Sequence, residues 1–436
     1  MKILVVSYFF AGESNMGATR IRRLVRHWVQ NGDEVTVLTH ECGRILPEAE
    51  ATGAKRIPVQ ALDLPELADR VRRLIGKGSP PQTEKAPEGG ISRLTSKPSR
   101  LTGLIHRLLC IPDKFRPWYG PGVKAGYTLI KTVRPDLIFV SIEPRTDALI
   151  AARLAKKFKL PLAVEYRDLW NGSPYRHANA PTPLHDWLQK RMEAKVVRSA
   201  SLLAGVCNGI SDYLKTRYAR ENVPVFTNFF DEREYPQPVT AKRTKEKPFR
   251  VAYIGQLYGE RGPYAFLEGF QQFIEQNKLS PEDIVFEWVG PVSGQGDLVA
   301  WIESRKLEKY ISYHGTLSHS DALACLQRVH VSLVLVAPDD SIHVPGKLYE
   351  AMGARTPVLL VAPKGSEALR ILEETGSGLH AECEAGQVAM RLHELYAGFQ
   401  RGKEWVYHEE KRAEYSNVVL QEHYLGALGE IRQSRV

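Results

Sequence analysis

Cysteine is scarce in this chain: the five present (Cys42, Cys110, Cys207, Cys325, Cys383) are odd in number, far apart and never paired as C-x-x-C. That pattern supports neither a disulfide framework nor a zinc site and fits a reducing, cytosolic setting. Long apolar runs are missing too. No stretch approaches the roughly 20 consecutive apolar residues a membrane-spanning helix needs, and the first residues lack the charged, apolar and cleavage regions of a signal peptide. The 13 histidines contain no H-E-x-x-H, so metal catalysis finds no support. The chain has no G-x-S-x-G elbow for a serine nucleophile and no G-x-G-x-x-G dinucleotide fingerprint. With 43% hydrophobic residues, 34 glycines and 27 prolines in 436 residues, the composition is neither fibrous nor disordered and allows two or three domains.

Positive charge is plentiful. The 59 Lys and Arg against 50 Asp and Glu give a net charge of +9, which suits an anionic partner such as nucleic acid, anionic lipid or a phosphorylated substrate. Much of the excess lies between Glu66 and Arg116, with eleven basic and five acidic residues. This stretch contains a Gly-, Pro-, Ser- and Lys-rich insertion, Gly76 to Arg100, expected to be mobile. Beside it, Leu104, Ile105, Leu108 and Leu109 in the segment Leu101 to Ile111 fall at helical spacing. Such an element suits an anionic membrane surface; a helix packed on the first domain with its basic face solvated is the alternative.

The periodicity is that of an α/β protein. Short apolar strand runs alternate with helices from Lys2 onward, the first helix running from about Ala18 to Gln30 and ending at Asn31-Gly32, which predicts a parallel sheet covered on both faces. Pro236 to Pro248 has almost nothing to bury and reads as a linker. The alternation restarts at Arg250 and continues to Glu374. Two open α/β sheets in tandem are therefore expected, with ligands beyond the carboxyl ends of the strands in a cleft between them.

Two glycine-bearing turns carry the candidate chemistry. The loop Phe9 to Gly17 follows the first strand and opens a helix, where backbone N–H groups and the helix dipole can hold an anion; a purely steric glycine turn is the alternative. The run His343-Val344-Pro345-Gly346-Lys347-Leu348-Tyr349-Glu350 predicts a helix with Pro at its first turn and a glycine that lets a ligand approach the free N–H groups. A pyrophosphate fits that end. Glu350, one turn further in, is placed to accept hydrogen bonds from two ribose hydroxyls, or else is an exposed neighbour of Lys347 at i, i+3.

This segment resembles the donor-binding helix of family four retaining glycosyltransferases of the GT-B fold, and the resemblance covers nearly the whole chain. Asn31 to Val37, Arg134-Pro135-Asp136, Glu165-Tyr166-Arg167-Asp168-Leu169-Trp170, Thr227 to Asp231, Ile254-Gly255-Gln256, Val289-Gly290 and His314-Gly315-Thr316-Leu317 occur in the family's order, with likeness to its bacterial cell-surface-polysaccharide branch. The resemblance implies an acceptor-binding Rossmann-like domain over 1–236, a nucleotide-sugar domain over 237–404, and helices over 405–436 that return to the first domain. It implies Gly17, Gly255, Gln256, Gly290, Leu317, Gly346 and Glu350 on the donor, Arg261 and Lys347 as catalytic cations against the departing diphosphate, Asp168 as a third catalytic residue positioning the acceptor or the transferred sugar, and Arg167 and Asn15 on the acceptor side. A structural Arg167–Asp168 pair is the other reading of that dipeptide.

Two departures stand out. The first Glu of the family's Glu-x7-Glu pattern is replaced by Ile342, so Asp339, Asp340 or backbone near His343 would take its part. Gln256 occupies a position that is usually Arg, and Arg261 matches the following basic residue only with a one-residue gap. The implied function is transfer of a glycosyl unit from a nucleotide sugar to a glycan or lipid-linked glycan, with retention and no metal or other cofactor. It would take place in the cytoplasm or at the inner membrane face, with no nucleic acid as partner. A nucleotide-sugar epimerase and a non-catalytic sugar-binding subunit are the competing readings.

Overall fold

The computed structural model describes residues 1–12, 16–43, 45–61, 111–171, 182–236, 246–256, 263–291 and 298–433. Asn15, Arg261, the insertion over 76–100 and the apolar positions of Leu101–Ile111 up to residue 110 lie outside them. The chain divides into two compact units, residues 1–205, 214–224 and 425–436 in one and 206–213 and 225–424 in the other.

The first unit is built on β1 (Lys2–Val6), α1 (Met16–Gln30), β2 (Glu34–His40), β3 (Lys55–Val59), α2 (Tyr119–Val133), β4 (Leu137–Ile142), α3 (Arg145–Phe158), β5 (Leu162–Tyr166), α4 (Pro183–Ser199) and β6 (Leu202–Gly205). Its six parallel strands lie in the order β3-β2-β1-β4-β5-β6, with Val5 opposite Val37 on one side and Phe139 on the other. The central strands are mostly apolar because both faces are covered, and β4 is buried at every position, whereas the edge strand β3 is buried only at Val59. The Asn31-Gly32 stop behaves as the sequence predicts: Gly32 takes φ +85°, and the Asp33 N–H returns to the Trp28 carbonyl. Helix α5 (Asn208–Tyr218) follows.

In the second unit come β7 (Phe249–Ile254), α6 (Tyr264–Asn277), β8 (Ile284–Val289), α7 (Leu298–Ser304), β9 (Ile311–Gly315), α8 (His319–Arg328), β10 (Val331–Leu335), α9 (Gly346–Gly353), β11 (Val358–Val361), α10 (Glu367–Thr375), β12 (Gly378–Ala381), α11 (Ala385–Arg401), α12 (Glu409–Ala413) and α13 (Asn417–Gln433). Residues 425–433 of α13 are counted with the first unit. The sheet is again six-stranded and parallel, in the order β12-β11-β10-β7-β8-β9. Alternate residues of β7 serve opposite faces. Val251 and Tyr253 join the Phe266, Phe270, Phe273 and Phe286 cluster, whereas Ala252 and Ile254 pack against Leu323 and Leu326. Each of those buried phenylalanines contributes on the order of 1.5–3 kcal/mol. The fold is thus the two-sheet α/β architecture expected. Elements β3, α2, β12 and α11 are additions that the sequence pattern did not delimit.

The division by contacts differs from the expected one at 236 and 405. Residues 225–236 side with the second unit because Phe230 exchanges backbone bonds with Tyr415 and Asn417, and Tyr235 donates to the Glu350 carbonyl at 2.7 Å. Trp405 donates to the Gly376 carbonyl and Arg412 to that of Met352, which holds residues 405–424 on the same unit, so of the expected returning segment only 425–436 sides with the first unit.

Candidate functional site

In each sheet the strand order reverses at one point, between β1 and β4 in the first unit and between β7 and β10 in the second. Open α/β sheets bind ligands beyond the carboxyl ends of strands at such points. The predicted residues that can be described gather at these two places.

At the second switch point three glycines end three adjacent strands. Gly255, Gly290 and Gly315 have φ of +120°, +118° and +64°, values that favour glycine. The Gly255 N–H donates to the Val289 carbonyl at 2.7 Å and the Gly290 N–H to the Gly315 carbonyl at 2.6 Å, so these strand ends are drawn together. A β-carbon on Gly290 would stand 2.6 Å from the Gly255 carbonyl oxygen, and one on Gly255 would stand 2.7 Å from Cε and 2.9 Å from Nζ of Lys347. The glycines therefore clear a path for backbone and for one ammonium. Lys347 runs from α9 across Gly255, its Nζ 3.2 Å from the Tyr253 hydroxyl and 4.6 Å from that ring's centroid. The Tyr253 hydroxyl in turn donates to the Gln256 carbonyl. Tyr253 is a site residue that the sequence reading missed; only its place two residues before Gly255 on β7 signals it.

Helix α9 begins at Gly346 behind Pro345, and no side chain caps that end. Its first-turn N–H groups and its positive dipole end thus favour an anion, with Lys347 alongside. Glu350 is 9% exposed, and its Oε1 is buried with no hydrogen-bond partner among the described residues. This corrects the alternative of an exposed Glu350 paired with Lys347, since the lysine turns to Tyr253 instead. A buried carboxylate oxygen left without a donor costs on the order of 1–3 kcal/mol, and donors such as hydroxyl groups would relieve that cost.

Other predicted members act by packing. Ile342 lies against Gly209, where a β-carbon would come within 2.7 Å of its Cγ2. Asp340 uses its buried carboxylate on the His343 backbone N–H at 3.0 Å and ring Nδ1 at 2.9 Å, holding the loop that leads into α9, while Asp339 is exposed. Leu317 packs on the Ile254 and Leu323 cluster.

At the first switch point Gly17 lies in the first turn of α1 rather than in the preceding loop. A β-carbon there would fall 1.4 Å from Nη1 of Arg167, so the glycine makes room for that guanidinium. Arg167 donates through Nε to the Ile142 carbonyl at 3.2 Å and through Nη2 to that of Glu143. Asp168 is exposed, which corrects the alternative of a buried Arg167–Asp168 pair. Glu165 is structural: it is fully buried, holds Arg20 bidentately at 2.9 and 2.7 Å and accepts from Ser141 at 2.7 Å.

Sequence reasoning also missed Asp147, in the first turn of α3. It is 1% exposed; Oδ2 accepts the Tyr8 N–H at 2.8 Å, and Oδ1 has no hydrogen-bond partner among the described residues. Burial pushes its carboxyl well above the usual range, the Tyr8 N–H opposes this, and neighbouring Asp113 adds to it. Half-buried rings line the same edge, Tyr8 stacking on His40 at 4.4 Å and meeting Phe115 at 4.7 Å. The only sequence signal was an acidic residue in a helix's first turn.

Among the described residues no group of three or more His, Cys, Asp or Glu is placed to hold a metal ion, and no helix is long and apolar enough to cross a membrane. A cavity of about 760 Å³ lined by Phe249, His330, Phe399 and Trp405 lies at the other, amino-terminal edge of the second sheet, away from the glycine cluster.

Residues 17–228 match a family profile described as Glycosyl transferase 4-like domain, and residues 239–411 match one described as Glycosyl transferases group 1. No curated protein matches. Among solved structures, the chain is similar to Alr3699/HepE from Anabaena in complex with UDP, at 13% identity over 99% of this chain and 100% of that one, with a TM-score of 0.64. It is similar to a sucrose-phosphate synthase from Thermosynechococcus elongatus at 15% identity over all of both chains, with a TM-score of 0.65. A putative UDP-N-acetylglucosamine 2-epimerase from Listeria monocytogenes matches more weakly, with 13% identity over 98% and 95% of the two chains and a TM-score of 0.56.

Proposed function

The chain is a glycosyltransferase of the GT-B fold, and from that premise we propose that it moves a sugar from a nucleotide-sugar donor to a hydroxyl of a glycan or lipid-linked glycan. The observation that carries the donor assignment is the orphaned, buried Oε1 of Glu350 one turn inside the uncapped helix α9. In this reading the diphosphate meets the α9 N-terminus, Glu350 accepts from ribose hydroxyls, and Lys347, held over Gly255, faces the diphosphate. Negative charge grows on the diphosphate as the glycosidic bond breaks, so a fixed ammonium and helix end stabilise the transition state more than the bound donor. Arg261 would add a second cation. The diphosphate's charge is met by these groups with no metal or other cofactor required.

Gln256, Gly290, Leu317 and Gly346 complete the donor side of this reading. On the first unit, Arg167, Asp168 and Asn15 belong to the acceptor side, with Gly17 admitting the Arg167 guanidinium. Retention of configuration, a role in surface polysaccharide synthesis and work at the inner face of a membrane complete the proposal. All three rest on the family resemblance.

The test is release of nucleoside diphosphate from a panel of nucleotide sugars with and without oligosaccharide acceptors, with product anomers read by NMR. Acceptor-dependent release, and a Lys347→Ala variant that loses more turnover than it gains in the donor's Michaelis constant, are the expected results. Acceptor-independent conversion of the sugar would favour epimerisation, and donor binding without release a sugar-binding subunit; either outcome overturns the transferase mechanism.

A further inference from the structure

Helix α4 carries one exposed stripe that the catalytic reading does not use. Leu184, Trp187, Arg191, Lys195 and Arg198 are all exposed and recur at steps of three and four residues, so they share one face over roughly 20 Å of helix. Leu184 and Trp187 are 58% and 51% exposed, large values for such side chains, and the Arg191 guanidinium lies 4.8 Å over the Trp187 ring. The helix's two carboxylates are withdrawn from this face. Asp186 is half-buried and pairs with Lys190 at 2.7 Å, and Glu193 is fully buried, accepting from Asn171 and Tyr218 at 2.6 Å.

The neighbouring helices extend the same charge. Helix α3 packs between α2 and α4, so the three form one layer over the sheet. Arg153, Lys156 and Lys157 are exposed on α3, whose one carboxylate, Asp147, is buried, and α2 adds exposed Lys124 and Lys131 with no acidic residue. Basic residues near helix C-termini suit the helix dipoles, but that does not account for ten exposed cations without one exposed carboxylate over three helices and their C-caps, nor for Leu184 and Trp187 at the opposite end. A face kept merely soluble mixes both signs.

We propose that this α2–α3–α4 face docks the enzyme on an anionic lipid bilayer, with Arg191, Lys195 and Arg198 at the headgroups and Leu184 and Trp187 entering the interface. Long-range attraction comes from the cations, and the exposed apolar pair supplies the part that salt does not screen. The proposal deepens the membrane-facing reading of the acceptor, yet its surface lies on elements apart from the donor cradle, so the two can fail separately.

The test is co-sedimentation of the full chain with phosphatidylcholine vesicles and with vesicles containing one third phosphatidylglycerol, at low and high salt. Pelleting should require the anionic lipid. The triple variant Arg191→Glu/Lys195→Glu/Arg198→Glu should bind at least tenfold more weakly, and Lys156→Glu/Lys157→Glu should weaken binding as well. Leu184→Ser/Trp187→Ser should lose the fraction that survives high salt. All three variants should keep nucleoside diphosphate binding in calorimetry, which establishes that they are folded. Folded variants that pellet like the parent, or a parent that pellets equally with neutral vesicles, would overturn the proposal. So would a parent that ignores vesicles and binds RNA through this face.

Discussion

Glu350 offers the sharpest perturbation, because function and stability should move in opposite directions there. Its Oε1 is buried without a donor, so the unliganded protein carries a desolvated carboxylate oxygen that a bound ribose would satisfy. Replacement by Gln keeps the side-chain volume and removes the charge. The unliganded Glu350→Gln protein should therefore be as stable as the parent, or more stable by up to about 1 kcal/mol, while nucleoside diphosphate binding weakens. Hydrogen bonds to a charged group are worth about 1.5–3 kcal/mol, so the dissociation constant should rise roughly 10- to 150-fold. Glu350→Ala should lose the same affinity but also stability, because it opens a cavity in a helix whose other side chains, Leu348, Tyr349 and Met352, are core. The Tyr235 bond to the Glu350 carbonyl involves only that residue's backbone and survives both changes. Calorimetric titration with nucleoside diphosphates and urea unfolding of the same samples would decide it. Unchanged affinity in Glu350→Gln would remove this carboxylate from the donor site, and a stability loss of about 2 kcal/mol or more in that variant would show that Oε1 has a structural partner after all.

Gly290→Ala should destabilise the second unit more than Gly255→Ala, by on the order of 1–3 kcal/mol, because its β-carbon meets a backbone carbonyl, whereas that of Gly255 meets the flexible end of Lys347; thermal unfolding checks the order, and equal losses would contradict it. Gly255→Ala should nevertheless harm turnover, since it displaces the Lys347 ammonium, and an active variant would detach Lys347 from the chemistry. Asp147 has a folded-state carboxyl held above the unfolded value, so its protonated form favours folding and stability drains away as pH rises from about 4 towards that raised value. Asp147→Asn should flatten this part of the stability–pH curve measured by urea unfolding; an unchanged slope would mean that Asp147 is ionised in the fold.

The alternation of apolar strand runs and helices determined the two parallel sheets, because strands covered on both faces must be apolar at nearly every position and helices must repeat every 3.6 residues. Local chemistry also placed the stop at Asn31-Gly32 and the start of α9 at Pro345-Gly346, since φ preferences and missing N–H groups act within a few residues. What the sequence left open was decided by groups far apart along the chain. Glu350 read as a ligand or as an exposed helix residue, and its burial removes the second reading. Lys347 read as its helical neighbour until Tyr253, 94 positions away, was seen to hold it. Gly17 read as part of an anion-binding turn or as a steric glycine, and its lack of a side chain serves Arg167, which reaches it from the end of β5. Asp147, the stripe on α4 and the buried Glu165 gave almost no local signal. Whether a charged side chain is a ligand, a strut or a docking surface depends on which neighbours remove water from it, and only the tertiary structure supplies those neighbours.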